Sequence, residues 1–333
     1  MKKVIFLKYV KEAAQVFLSI IAIAAIAYFV DIGKVAQAIA GANPAYIIAA
    51  ILCYAGINVA MSYRISMLLG DMKAGMGFRK VISSHFAGML ASDFTPARSG
   101  YFATALALAR HGATVSQGVA AILAPQIFDF LLKVIAGGAM LAYVAGREIS
   151  GQSSLVASML GIAAVALMLL FAVMLVFSRK FLLVFKPLFG IVPFGGKAFA
   201  MLESMQGHSM HVKTRWLEIL GLLALTWTLK GMEWMFLAKA IGMGVDFPYG
   251  ELAFFMFLQP LVTILQFVPF PTAAGSGLSE AGAIGILFLF GISAPVAAAF
   301  AILTRGMTTI VDLIGLREVT KLDFDALANA RLH

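Results

Sequence analysis

The chain has 333 residues, 62% of them hydrophobic and only 12% charged, with a formal net charge of +9. A soluble domain of that length could not cover its surface with so few charges, so a membrane protein is expected. The positive balance is assigned to basic loops beside anionic lipid, and no nucleic acid is expected as a partner.

In chain order, apolar runs reaching the roughly 20 residues needed to cross a bilayer as helix fall at about 12–30, 44–63, 116–144, 154–178, 216–242 and 293–316. Two further apolar regions, about 80–110 and 250–291, are interrupted in the middle. The first run follows MKKVIFLKYVK but is long and lacks a small-residue cleavage site, so it reads as a retained helix. Cys53, the single cysteine, reads as an apolar filler. The histidines have no metal-ligand spacing, and neither HExxH nor CxxC occurs, so no metal or other cofactor is expected.

The distribution of Lys and Arg sets the orientation. Lys2, Lys3, Lys8 and Lys11 precede the first run. Arg64, Lys73, Arg79 and Lys80 are counted in the loop after the second, and Arg179, Lys180, Lys186, Lys197, Lys213 and Arg215 follow the fourth. The alternate loops carry Lys34, Arg147 and, in GMGVDFPYGE, none. The N-terminus is therefore placed inside. Parity then makes 80–110 a re-entrant hairpin entering from inside, because YFATALALA is too short to cross alone. The same parity makes 250–291 a hairpin entering from outside. The expected fold is an all-α polytopic membrane protein with six full spans and two re-entrant helical hairpins. It lies in the cell membrane with both termini cytoplasmic. Residues 179–215 mix Phe181, Phe185, Phe189 and Phe194 with lysines, and read either as an amphipathic stretch on the membrane surface or as a solvated linker.

The hairpins resemble each other. FTPARSGYFATALALARHGATVSQGVAAILAPQIFDFLLKVIAG and FPTAAGSGLSEAGAIGILFLFGISAPVAAAFAILTRGMTTIVDLIG both run from Phe and Pro through a Ser-Gly break, a short apolar helix and a Gly turn. Each then enters a small-residue-rich span with one aspartate, Asp129 or Asp312. Within one integral membrane domain spanning 1–333, repeat one covers about 44–144 and repeat two about 216–316. Entering from opposite sides, they would be inverted repeats, a recurrent plan of alternating-access transporters. Broken backbone at membrane depth must line a wet cavity or be buried in protein. Pro96, Gly100, Pro271, Gly275 and Gly277 are the expected hinge positions.

Ionisable groups inside spans are functional candidates. Asp93 and Arg98 lie at the first break. Asp129 and Lys133 share a helix face at i,i+4, and Lys230 and Glu233 at i,i+3. These two pairs either serve a substrate or neutralise each other and fix packing. Arg98, between Pro96 and Gly100, is placed as a phosphate ligand because a guanidinium fork matches phosphate. Arg305 is a similar candidate, or pairs with Glu280 or Asp312. Glu280 falls in a first helical turn, where it serves as a cap, an arginine partner, or a proton or cation site. GSGLSEAG is neither a nucleophile elbow nor a dinucleotide fingerprint, and no Walker A sequence occurs, so no enzyme is expected.

At these residues the chain resembles the flippase-like transmembrane region of lysylphosphatidylglycerol synthetases and its stand-alone relatives, over about residues 10–318. The family's first motif, P-x-R-x-G-E followed by an Arg-x-x-Asp helix, appears as Pro96-Ala-Arg98-Ser-Gly100, with Gln126-Ile-Phe-Asp129 in the next span. Its second, P-x-x-x-G-G-x-G-x-x-E, appears as Pro271-Thr-Ala-Ala-Gly275-Ser-Gly277-Leu-Ser-Glu280, with Gly291 and Arg305 after it. Tyr101 stands where the family often has Glu, and Gln126 where it often has Arg. No aminoacyl-transfer domain is seen before the chain stops at KLDFDALANARLH.

The resemblance implies a lipid translocase whose substrate is an aminoacylated phospholipid or a polyprenyl-phosphate carrier. Arg98 and Arg305 would hold the phosphate. Glu280, Asp129 and Asp312 would pair with them or with a cationic headgroup. Proton or sodium coupling and a homo-oligomer are left open. The rival readings are an ion-coupled small-solute transporter and a non-transporting membrane subunit for a glycosyltransferase.

Overall fold

The computed structural model describes residues 31–95, 100–148, 178–191, 214–267 and 278–322, with isolated positions between 167 and 206. All regular structure among them is helical: α1 Ile32–Ala40, α2 Pro44–Asp71, α3 Phe78–Asp93, α4 Ala103–Arg110, α5 Val115–Glu148, α6 Arg179–Ile191, α7 Trp216–Ala240, α8 Glu251–Phe267, α9 Leu278–Leu289 and α10 Ala294–Asp312. A 3-10 turn at Leu313–Gly315 leads into α11, Leu316–Val319. The expected runs at 12–30 and 154–178 lie outside the described residues.

Among the described residues, three helical stretches are long and apolar enough to cross a membrane: Pro44–Asp71, Val115–Met140 and Ala294–Val319. The protein is a multi-pass membrane protein. In α2 the two faces separate by helical spacing. Ile48, Leu52, Val59 and Tyr63 are exposed along one side, while Ala50, Tyr54, Ile57, Ile65 and Leu68 are buried on the other. A stripe of exposed, largely apolar side chains suits a surface that lies against lipid. Asn43 starts this helix, its side chain accepting from the Ala45 amide at 2.9 Å, with Pro44 behind it.

The structure corrects one boundary. The span expected at 44–63 runs on to Asp71, so Arg64 belongs to the helix interior and not to a loop. The residues after Arg64 keep the helical period, with Ile65, Leu68 and Leu69 fully buried.

Helices α2 and α7 form the most extensive helix contact described, and they run antiparallel. At one end the Asn43 amide donates to the Ala240 carbonyl (2.8 Å). At the other, Arg215 donates to both oxygens of Asp71 (2.9 and 3.0 Å) and to Glu218. Arg215 lies just before α7, and its hydrogen bonds to Asp71 and Glu218 raise the pKa of its guanidinium further.

Two helix pairs each begin and end at one end of this seam. Gln117, at the start of α5, donates to the Met72 carbonyl, and Arg110 and His111 both meet Glu318. The α3–α4 pair thus leaves the Arg215 end at Phe78 and returns to it at Arg110. The α8–α9 pair leaves the opposite end at Glu251, which meets Lys239 at 3.3 Å. It returns there at Phe290, stacked on Tyr143, whose ring also meets Phe247. Contacts recur between the halves. α2 packs on α3 as α7 does on α8, α4 on α5 as α9 does on α10, and α5 crosses to α8 as α10–α11 crosses to α3.

The 179–215 segment contributes α6, where Leu182 is buried and Leu183 and Val184 are exposed beside Lys180 and Lys186.

Candidate functional site

A cavity of about 380 Å³ lies where the two halves meet. It is lined from α2, α3, α5, α7, α8, α9 and α10 and from Tyr101 and Phe102 just before α4. Met61, Met89, Phe130, Trp227, Trp234 and Phe300 give it largely apolar walls. That size is in the ordinary range for a small-molecule pocket.

Among the described residues, four cations and two carboxylates reach the cavity: Arg64, Lys133, Lys230 and Arg305, with Asp129 and Glu280. Five of these six were singled out from the sequence. Asp129 and Lys133 pair along α5 at 2.8 Å, as their spacing requires. Lys230 is gripped by both oxygens of Glu233 (2.7 and 2.8 Å). Glu233 itself is fully buried and stands behind Lys230, away from the cavity wall. The Lys230 ammonium also lies 5.1 Å from the centre of the Tyr54 ring. The Tyr54 hydroxyl in turn faces both oxygens of Asp312 (3.0 and 2.9 Å). Asp312 is fully buried and likewise off the wall. A chain of polar contacts therefore runs Glu233, Lys230, Tyr54, Asp312, across α7, α2 and α10.

Arg305 takes a different partner from either expected carboxylate. Its Nη2 donates to the Asp93 main-chain carbonyl at 2.8 Å, while Thr309 donates to the Asp93 carboxylate. A guanidinium at the last carbonyls of α3 satisfies groups that the helix end leaves open. Glu280 lies in the first turn of α9, where the helix dipole favours a carboxylate.

The turn between α3 and α4 is described at its edges. The Gly100 amide donates to the Thr95 hydroxyl, which donates to the Ala91 carbonyl. A Cβ at Gly100 would sit 2.3 Å from the Ala91 carbonyl carbon, so the two backbones touch here. Arg98, Pro96, Pro271, Gly275 and Gly277 lie outside the described residues.

Pro260 shapes another part of the wall. A proline has no N–H to give to the carbonyl four residues earlier. That carbonyl, Met256, accepts instead from the Trp227 indole at 2.7 Å. The apolar face of Trp227 is thereby held against the cavity.

Arg64 is the residue that the sequence reading missed. It is 3% exposed, and its Nε and Nη2 meet no acceptor among the described residues. Leaving a buried charge without a partner costs about 3–5 kcal/mol. Nearby on α2, α3 and α4, the hydroxyls of Ser62, Ser84 and Thr104 and Nδ1 of His85 are also buried without partners among the described residues. Tyr101 and Gln126, the two departures from the expected motif, both line the cavity.

A family model described as the lysylphosphatidylglycerol synthase TM region matches residues 13–315. No curated protein matches the chain.

Proposed function

Because the chain belongs to the family of lysylphosphatidylglycerol synthase transmembrane regions, we propose that it is a lipid translocase carrying a phosphate-bearing lipid across the cell membrane. The observation that carries this reading is the cavity to which both halves contribute, apolar in its walls and cationic in balance. Its volume suits a headgroup, while the lipid's chains stay in the bilayer. The substrate class is an aminoacylated phospholipid or a polyprenyl-phosphate carrier. Arg305 and Arg98 meet the phosphate, and Asp129 and Glu280 meet a cationic part of the headgroup.

The halves are read as inverted repeats, each with one re-entrant hairpin. The antiparallel pairing of α2 with α7 supports this, as do the recurring contacts and the return of each hairpin to its own end. The end that gathers Arg110, Arg215 and Arg317 is read as cytoplasmic, and its basic residues support that reading. The protein is read as a transporter and not an enzyme. Its drive is assigned to a proton or sodium gradient or to downstream consumption of the lipid.

Reconstitution tests it. Fluorescent phospholipid and polyprenyl-phosphate analogues are followed by headgroup accessibility in vesicles, with and without imposed proton and sodium gradients. Faster movement than in empty vesicles is expected for at least one of them. Rates equal to empty vesicles for every lipid would overturn the reading.

A further inference from the structure

We infer that Arg64 is the seat of the substrate's phosphate, taking a phosphate mono- or diester on the free edge of its guanidinium. This rests on the translocase reading above and names a residue that neither the motifs nor the spacing of charges pointed to.

Of the four cations that reach the cavity among the described residues, Lys133 and Lys230 are held by carboxylates on their own helices. Arg305 spends a nitrogen on the Asp93 carbonyl. Arg64 alone among them is nearly fully buried with two nitrogens unmet among the described residues. A buried guanidinium kept for structure is paired or hydrogen-bonded, because desolvation without compensation opposes folding. Arg64 also lines the cavity, while its Nε and Nη2 are themselves closed off from solvent, so a headgroup entering there meets them by a turn of the Arg64 side chain. A phosphate offers paired oxygens to a guanidinium fork, and the low surrounding polarity strengthens the contact. The apolar walls formed by Ile57, Met61 and Trp227 suit the remainder of an amphiphile.

Arg64 then carries an opposite sign in the two states. Without anion it opposes folding, and with anion it holds the ligand. Structural arginines do not behave this way, so stability and binding measured together decide the matter.

The experiment uses the purified full chain in an uncharged detergent and follows thermal unfolding. The probes are dihexanoyl phosphatidic acid, dihexanoyl phosphatidylglycerol and inorganic phosphate, with dihexanoylglycerol as the phosphate-free control. Wild type should gain about 5 °C at saturating probe and nothing from the control. Arg64→Met should unfold at a higher temperature than wild type without probe and lose the gain. Arg64→Lys, which keeps the charge but not the fork, should need about tenfold more probe.

A gain confined to the lipids assigns the seat to a headgroup, and an equal gain with inorganic phosphate assigns it to the free anion. Both support the site. A wild-type chain that gains nothing from any phosphate probe overturns it. So does Arg64→Met that keeps the gain, or that unfolds below wild type without probe. Lipid movement in vesicles separates the two readings. If wild type moves no lipid yet shows the Arg64-dependent gain, the translocase is lost and the site stands. If Arg64→Met moves lipid as fast as wild type, the site is lost and the translocase stands.

Discussion

The helices of residues 44–144 and those of residues 216–316 fill their interiors differently. In α3, α4 and α5 the backbones approach through small residues. Gly88 faces Thr104, Gly100 faces the Ala91 peptide, and Gly118 faces Ala105, each too close to admit a Cβ without a shift. In the second half large rings interlock edge to face. Phe254 meets Phe290 at 4.8 Å and Phe255 at 5.1 Å, and Trp234 meets Phe300 at 5.4 Å. Within a bilayer, small residues bind helices by letting main chains touch, whereas rings bind by filling volume and by the geometry of their quadrupoles. The close glycine contacts of α3, α4 and α5 should therefore suffer most from added atoms, and the ring cluster of the second half from removed ones.

The largest expected effect is Phe254→Ala. Phe254 is fully buried among rings, and its loss should cost about 3–5 kcal/mol, read as a lowered midpoint of unfolding in detergent. A midpoint unchanged from wild type would end the claim that rings hold this half. Next is Gly100→Ala, where the new methyl meets main chain that cannot step aside. The expected loss is about 3 kcal/mol, with less monodisperse protein by size exclusion. A variant as stable as wild type would mean that the turn has slack.

Tyr54→Phe probes the polar chain joining the halves. It removes the hydroxyl that faces the Asp312 carboxylate and should cost about 1.5–3 kcal/mol by the same melting assay. A neutral result would show that Asp312 is satisfied without it. The smallest effect has the opposite sign. Among the described residues, nothing lies within 4 Å of the point where a methyl on Gly306 of α10 would sit. Gly306→Ala should therefore stabilise by up to about 1 kcal/mol through helix propensity. Destabilisation there would erase the contrast with Gly100.

Much of this was legible in the sequence, for physical reasons. The described spans announce themselves by length and apolarity, and α2, α5, α7 and α10 start within two residues of their expected positions. The pairs Asp129–Lys133 and Lys230–Glu233 follow from helical spacing alone. Arg64 was hidden by the rule that a charge ends an apolar run. Only the periodicity of Ile65, Leu68 and Leu69 beyond it betrays a helix that continues. The partner of Arg305 was invisible for another reason. Asp93 lies 212 residues away and accepts through its main chain, which no side-chain pattern encodes.

The α2–α7 seam limits the motions open to the molecule. It is tied at one end by Asn43 to Ala240 and at the other by Asp71 to Arg215. A piston-like slide of one helix along the other would break both ties at once. Turning the halves about the seam as an axle breaks neither. Of shear and hinge, the two general modes of domain movement, only the second preserves the bonds at both ends.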